Sequence, residues 1–218
     1  MISAFVFDLD GVITDTAEYH YRSWKRLADE EGIPFTREDN EQLRGVSRRE
    51  SLLLLLKGRV LAESQMQEWM ERKNNYYRQY LKEITSADLL PGVQAFLTET
   101  RAYGLKIGLA SASKNAKDVL NSLGIMALFD AVGDGYSVSN TKPAPDLFVW
   151  VAGRLDLPPD RVVIFEDAEA GIAGALAAGM YAIGLGPAER VGKAHVILPD
   201  LRDAHVQALL DRLPATPR

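Results

Sequence analysis

The chain of 218 residues contains no cysteine, which excludes disulfide bonds, thiolate nucleophiles and cysteine-ligated metal centres. Long hydrophobic runs are also missing. Residues 2–7 form an apolar run that ends at Asp8, and residues 52–56 are far fewer than the roughly 20 that span a membrane. No basic leader precedes the first run, so it does not predict a signal peptide. We therefore expect a cytoplasmic protein that does not bind a membrane.

An excess of positive charge is lacking as well. The formal net charge is −5, from 30 acidic and 25 basic residues. This balance gives no reason to expect binding to nucleic acid. A small anionic substrate would then need a local cluster of basic residues. The 47% hydrophobic content is ample for a packed core, and we expect a monomer.

Short apolar runs alternate with stretches of helical periodicity. The apolar runs cover residues 2–7, 106–110, 161–165, 181–185 and, more weakly, 195–198; the helical stretches cover 93–103, 116–123, 146–155 and 170–178. Nearly continuous apolar runs of this length are typical of strands buried on both faces of a parallel sheet. The alternation predicts an α/β fold with a doubly wound, mostly parallel sheet.

The section between the first two predicted strands is different. It shows helical patterns at residues 19–31, 37–43, 48–57 and 62–82 and no convincing strand. A helical section this long is better explained as an inserted domain than as a crossover connection. We therefore predict an all-helical cap domain, residues 16–88, inserted into a discontinuous core of residues 1–15 and 89–218.

Polar side chains follow the predicted strands. They are Asp8, Asp10, Ser111, Ser113, Lys114, Asn115, Glu166 and Asp167, and a loop adds Lys142. In open α/β sheets, ligands bind at the carboxyl ends of the strands. We therefore expect these side chains to converge at one edge of the sheet.

This set of residues suits phosphoryl transfer. The carboxylate of Asp8 can accept a phosphoryl group as a nucleophile, but its negative charge would repel the phosphate. A hard divalent cation such as Mg²⁺ removes that repulsion, and Asp8 with Glu166 or Asp167 can supply its oxygen ligands. Lys142 and Lys114 would neutralise charge on the transferring group, and Asp10 would act as general acid and base.

Each of these motifs has a plainer explanation when it stands alone. An isolated Asp-x-Asp more often marks a turn, and Glu166-Asp167 before a helix is most often an N-terminal cap. An isolated Lys-Pro, such as Lys142-Pro143, is a weaker signal still. Their occurrence together, after successive strands, favours the phosphoryl-transfer site.

A second cluster of positive charge lies in the predicted cap. Ser47 and Glu50 have the spacing of a capping box, so a helix is expected to begin at Arg48. Arg48 and Arg49 in a first turn oppose the helix dipole, at a cost of about 0.3–1 kcal/mol each when exposed. A bound anion would reverse that cost. We predict that Arg48 and the amides of residues 45–49 hold a second phosphate; the alternative is a solvated charge cluster.

Four segments carry a family resemblance, residues 7–20, 40–48, 110–115 and 142–146. They resemble the phosphotransferases of the haloacid dehalogenase superfamily that have a helical cap, nearly from end to end of the chain. Residues 16–20 and 45–48 point to the sugar-phosphate mutases within that superfamily. The resemblance implies conversion of β-D-glucose 1-phosphate into glucose 6-phosphate through β-glucose 1,6-bisphosphate.

The resemblance also implies roles for residues. Asp8 would be phosphorylated, and Mg²⁺ would be bound by Asp8, the backbone carbonyl of Asp10 and Asp167, with Glu166 close by. Ser111 and Lys142 would hold the transferring phosphoryl group, and Arg48 the distal phosphate. The residues that would contact sugar or phosphate are His20, Arg44, Gly45, Val46, Ser47, Arg49, Glu50, Ser51, Lys73, Ser113, Lys114 and Asn115.

Two alternatives stay open at this point. A sugar-phosphate phosphatase would use the same nucleophile but let water attack the aspartyl phosphate. A catalytically silent sugar-phosphate sensor would be expected to lack Asp8 or Asp10, and both are present. His20 could also be an ordinary core or surface histidine on spacing alone.

Overall fold

The fold is given by a computed structural model, which describes residues 1–43 and 46–217. Its centre is a six-stranded sheet in the order β3-β2-β1-β4-β5-β6, with every neighbouring pair parallel. The strands are β1 (Ala4–Phe7), β2 (Lys106–Ala110), β3 (Ala131–Gly133), β4 (Val162–Glu166), β5 (Tyr181–Leu185) and β6 (Val196–Leu198). The predicted doubly wound parallel sheet is confirmed.

Ten α-helices connect or flank these strands in the described residues. They are α1 (Ala17–Glu30), α2 (Arg37–Glu41), α3 (Arg48–Leu56), α4 (Glu63–Tyr80), α5 (Val93–Ala102), α6 (Ala116–Ser122), α7 (Asp146–Arg154), α8 (Glu169–Ala177), α9 (Ala188–Val191) and α10 (Val206–Leu210). In the same described part of the chain, four short 3₁₀ helices cover Leu81–Glu83, Ser86–Asp88, Met126–Leu128 and Pro159–Arg161.

One strand, β3, was missing from the prediction. It has only three residues, Ala131–Gly133, and lies at an edge of the sheet, so its apolar run is too short to stand out in the sequence. Its packing is nevertheless tight. A Cβ atom on Gly133 would lie 2.6 Å from Val151 Cγ2, so the glycine allows α7 to approach the sheet.

The sheet is packed on both faces. On one face, the rings of Phe5, Phe7, Phe96 and Phe165 form a cluster with centroid distances of 4.6–6.2 Å, within the range of favourable aromatic contacts. The other face packs against helices α7 and α8. Burial on both faces explains why the strands read as continuous apolar runs rather than as alternating patterns.

Helices α1–α4 lie between β1 and β2, and we call them the helical insertion. The structure describes no strand between residues 17 and 80, with residues 44 and 45 outside this statement. The insertion has a hydrophobic cluster of its own that includes Trp24, Leu52 and Trp69. Helix α3 begins at Arg48 with the predicted capping box of Ser47 and Glu50. The exact domain boundaries, 15/16 and 88/89, stay a prediction.

None of the helices that the structure describes is long and apolar enough to cross a membrane.

The aromatic cluster gives a test of the core. Replacing Phe165 with Ala removes a fully buried ring that stacks on Phe7, so we expect a loss of about 3–5 kcal/mol in the free energy of unfolding. Val149→Ala is the matched control, since Val149 is 47% exposed, and its loss should stay below about 0.5 kcal/mol. Urea unfolding measures both. Similar losses for the two variants would contradict this account of the core.

Candidate active site

The carboxyl ends of β1, β2 and β4 bring the predicted catalytic residues together. Because the strands are parallel neighbours, the segments after them meet at one edge of the sheet. A cleft of about 770 Å³, counting space open to solvent, lies between this edge and the helical insertion. Its described lining is Asp8, Asp10, Ala17, His20, Trp24, Asn40, Leu43, Val46, Arg48, Ser51, Lys73, Ser111, Ala112, Ser113, Lys114 and Asp167.

Lys142 lies at the centre of the carboxylate cluster. Its fully buried ammonium donates to Asp8 Oδ1 at 2.6 Å and to Glu166 Oε1. Burial by itself lowers the pKa of Lys142, but the charges of Asp8 and Glu166 raise it above its ordinary value, so the ammonium keeps its proton. The other oxygen of Glu166 accepts from the amide of Ala168 at 3.0 Å.

Three of the four predicted metal ligands form a candidate cation site. Asp8, Glu166 and Asp167 each offer a carboxylate oxygen, and these oxygens lie within 4.8 Å of one another. All three side chains are buried. Burial raises the pKa of Glu166 to about 7, and the nearby charge of Lys142 opposes that rise. Hard oxygen donors in a cluster of net negative charge fit Mg²⁺.

Asp10 is not part of that group, because its carboxylate turns towards the helical insertion. It accepts a hydrogen bond from the hydroxyl of Thr16, and His20 Nε2 lies 3.9 Å from its Oδ2. Burial, followed by the charge of Asp8, raises the pKa of Asp10 to about 7. A carboxyl group that exchanges its proton near neutral pH is suited to general acid–base catalysis. The predicted metal contact through its backbone carbonyl stays a prediction.

His20 belongs to the site rather than to an ordinary surface. Its Nδ1 lies 2.9 Å from the ammonium of Lys73, which links helices α1 and α4. Burial lowers the pKa of His20, and the charge of Lys73 lowers it further, so the ring is neutral and can accept this hydrogen bond. Burial also lowers the pKa of Lys73. Both residues line the cleft next to Asp10.

The two arginines at the start of α3 point to different places. Arg48 lines the cleft, and its Nη2 donates to Asn74 Oδ1 at 2.9 Å. Arg49 instead forms an exposed ion pair with Glu63, with Nη2 at 2.7 Å from Oε2. Of these two arginines, Arg48 is therefore the one that faces the cleft.

The other residues predicted to contact sugar or phosphate differ in whether they line the cleft. Val46, Ser51, Ser113 and Lys114 line the cleft. Ser47, Glu50 and Asn115 are held by hydrogen bonds around it and are absent from its described lining. Arg44 and Gly45 lie outside the described residues.

The loop after β2 is shaped by its own hydroxyl groups. Ser111 Oγ accepts from the amide of Ser113 at 3.1 Å, and Ser113 Oγ accepts from the amide of Asn115 at 3.2 Å. These short-range bonds fix the turn that carries Lys114 along the cleft.

Sequence reasoning missed several residues that the structure brings to the site. Thr16 contacts Asp10, and Asn74 accepts hydrogen bonds from both Arg48 and Asn115. Arg190 Nη2 lies 3.7 Å from Asp167 Oδ2. Thr16 follows the Asp-x-Asp motif closely enough to have been noticed. Asn74 and Arg190 carry no local signal, because their partners are far away in the sequence.

Comparison with known proteins agrees with this geometry. A family model for haloacid dehalogenase-like hydrolases matches residues 2–179. The chain belongs to this family. It is 41% identical over 212 residues to a β-phosphoglucomutase of Bacillus subtilis, covering 95% of this chain and 94% of that one. A crystal structure of β-phosphoglucomutase from Clostridium difficile superposes with a TM-score of 0.94 at 41% identity, covering 97% of both chains.

Phosphatases of this family are similar to the chain as well. A fructose-1-phosphate phosphatase of Escherichia coli is 30% identical over 181 residues, which cover 83% of this chain and 95% of that protein. The family and the relatives together support an enzyme of phosphoryl transfer.

From the cluster of carboxylates of Asp8, Glu166 and Asp167, we expect that a divalent cation stabilises the protein. A ligand that binds only the folded state at about 100 times its Kd adds about 2.7 kcal/mol, so MgCl₂ should raise Tm relative to EDTA. Asp167→Asn should remove most of that increase, whereas Asp203→Asn, on the exposed surface, should keep it. Thermal unfolding measures all three proteins. An equal increase in Asp167→Asn would show that the ion binds elsewhere.

Proposed function

We propose that the protein is a β-phosphoglucomutase, which converts β-D-glucose 1-phosphate into glucose 6-phosphate through an aspartyl phosphate and β-glucose 1,6-bisphosphate. One observation carries this proposal. Arg48 lines the same cleft as Asp8, so a sugar with two phosphates can place one at Asp8 and the other at Arg48. A simple monophosphate phosphatase would not require the second position.

The chemistry begins at Asp8. One carboxylate oxygen attacks the phosphorus of the bisphosphate, the bond from phosphorus to the sugar oxygen breaks, and Asp10 gives its proton to that oxygen. In the second half, Asp10 takes the proton of the acceptor hydroxyl, whose oxygen attacks the phosphorus and releases Asp8. The raised pKa of Asp10 suits both directions of this exchange.

Positive charge around the phosphoryl group supports the transfer. Lys142 donates to Asp8 and would offset negative charge as the phosphoryl group moves. Ser111, which is buried at the end of β2, would donate its hydroxyl to a phosphoryl oxygen. A Mg²⁺ ion held by Asp8 and Asp167 would supply further positive charge to the phosphoryl oxygens when bound.

A sugar-phosphate phosphatase is the second candidate, because phosphatases of the family are similar to this chain. It differs only in the acceptor, which would be water instead of a sugar hydroxyl. A silent sensor is disfavoured, because Asp8 and Asp10 are both present and hydrogen-bonded to each other, and Lys142 donates to Asp8.

The two enzymatic candidates predict different products. The protein is incubated with β-D-glucose 1-phosphate, MgCl₂ and a trace of β-glucose 1,6-bisphosphate, and glucose 6-phosphate and free phosphate are both measured. We expect glucose 6-phosphate to form in large excess over free phosphate. Free phosphate as the main product would contradict the mutase and support the phosphatase.

The distal phosphate position has its own test. Arg48→Ala removes a charged donor from the cleft, so we expect KM for β-D-glucose 1-phosphate to rise by at least about tenfold, the usual size for a lost charge-assisted hydrogen bond. Arg49→Ala is the matched control, since its side chain pairs with Glu63 at the exposed surface. Its KM should stay within about twofold of the parent. An unchanged KM in Arg48→Ala would overturn the assignment of the distal phosphate.

A further inference from the structure

One carboxylate oxygen joins the helical insertion to the core beside the cleft. Glu50 Oε2 accepts from the amide of Ser47 at 2.9 Å and also from the hydroxyl of Thr141 at 2.9 Å. The first bond belongs to the capping box that starts helix α3. The second reaches a core loop 91 residues further along the chain. The side chain of Glu50 therefore holds the start of α3 and this loop together.

Each end of this contact adjoins a residue of the proposed mechanism. Arg48 is the first residue of α3, and Thr141 directly precedes Lys142. The capping box fixes the backbone that carries Arg48, and the Thr141 carbonyl accepts from the amide of Ala144 at 3.0 Å, which makes its own loop compact. The hydrogen bond between Glu50 and Thr141 thus connects two backbone segments. One carries Arg48, at the proposed site of the distal phosphate, and the other carries Lys142, beside the proposed site of the transferring phosphoryl group.

A second contact crosses the same boundary. Asn74 Oδ1 accepts from Arg48 Nη2 and from Asn115 Nδ2, each at 2.9 Å. Arg48 and Asn115 are themselves assigned to substrate binding, so changing them would confuse positioning with binding. Glu50 and Thr141 are both absent from the described lining of the cleft, which makes them the cleaner pair to test.

We propose that Glu50 and Thr141 are positioning residues that fix the spacing between the two phosphate-binding ends of the cleft. This inference rests on the proposed function. With the spacing fixed, a sugar bisphosphate is held at both ends at once, and its hydroxyl lies close to the aspartyl phosphate. This assigns Glu50 to positioning instead of the substrate contact expected from the family resemblance.

Loss of the pair has a defined chemical consequence. The helix end and the loop would separate more easily, so water would reach the aspartyl phosphate more often. The water oxygen then attacks phosphorus, the bond to Asp8 breaks, Asp10 takes the proton and free phosphate leaves. The partition between glucose 6-phosphate and free phosphate therefore reports on the contact.

Thr141→Val tests the proposal, because it removes the hydroxyl and keeps the shape of the side chain. We expect KM for β-D-glucose 1-phosphate to rise about tenfold, the usual size for a hydrogen bond to a charged group, while kcat stays within about twofold. The ratio of free phosphate to glucose 6-phosphate should rise by a similar factor. Thr141→Ser keeps the hydroxyl and should behave like the parent in both measurements.

Two results would overturn the proposal. One is a Thr141→Val variant with the KM and product ratio of the parent; the other is a Thr141→Ser variant as impaired as the valine variant. If the parent releases only free phosphate, the mutase proposal fails by itself. The pair is then judged on the KM of that hydrolysis, which Thr141→Val should still raise and Thr141→Ser should not.

A double-mutant comparison separates the contact from local effects at Thr141. Glu50→Ala removes the acceptor and part of the capping box. If Thr141 acts through Glu50, adding Thr141→Val to Glu50→Ala should change KM and the product ratio by less than about twofold. A further tenfold change in the double variant would show that the hydroxyl of Thr141 works through another partner.

Discussion

The Lys142 ammonium lies between the carboxylates of Asp8 and Glu166 with no exposure to solvent, and the rest of the site depends on this arrangement. Buried carboxylates are costly unless they are paired and hydrogen-bonded. Adjacent parallel strands, β1 and β4, place Asp8 and Glu166 side by side, and the loop after β3 supplies the lysine. The carboxylate of Asp8 can thus be buried, hydrogen-bonded and directed into a cleft at the same time.

The helical insertion brings side chains to the cleft that the edge of the sheet does not supply. Thr16, directly before α1, donates a hydrogen bond to Asp10, and His20 on α1 lies close to Asp10. The ammonium of Lys73 on α4 lies 2.9 Å from His20 Nδ1. Arg48, at the start of α3, brings positive charge to the cleft. The sheet edge therefore carries the carboxylates of Asp8, Glu166 and Asp167, and the insertion contributes His20 to the surroundings of Asp10.

Local signals in the sequence were sufficient for most of the fold. Continuous apolar runs and helical periodicity predicted five of the six strands, and the residues after β1, β2 and β4 were correctly expected to converge. The capping box of Ser47 and Glu50 correctly gave the start of α3. β3 was missed because three residues carry too little periodicity.

In the site, contacts between residues that are far apart in the sequence could not be predicted from the sequence. Arg48 and Arg49 are adjacent in sequence and chemically identical, yet only their contacts with Asn74 and Glu63 show which faces the cleft. The hydrogen bond from Thr141 to Glu50 spans 91 residues and has no local signature.

The central claim, that the phosphoryl group passes through Asp8, is tested most directly by mass spectrometry of acid-quenched enzyme after mixing with β-glucose 1,6-bisphosphate and MgCl₂. The account predicts one added phosphoryl group on the peptide that contains Asp8 and none in Asp8→Asn; a phosphoryl group on another residue, such as Ser111, would contradict it.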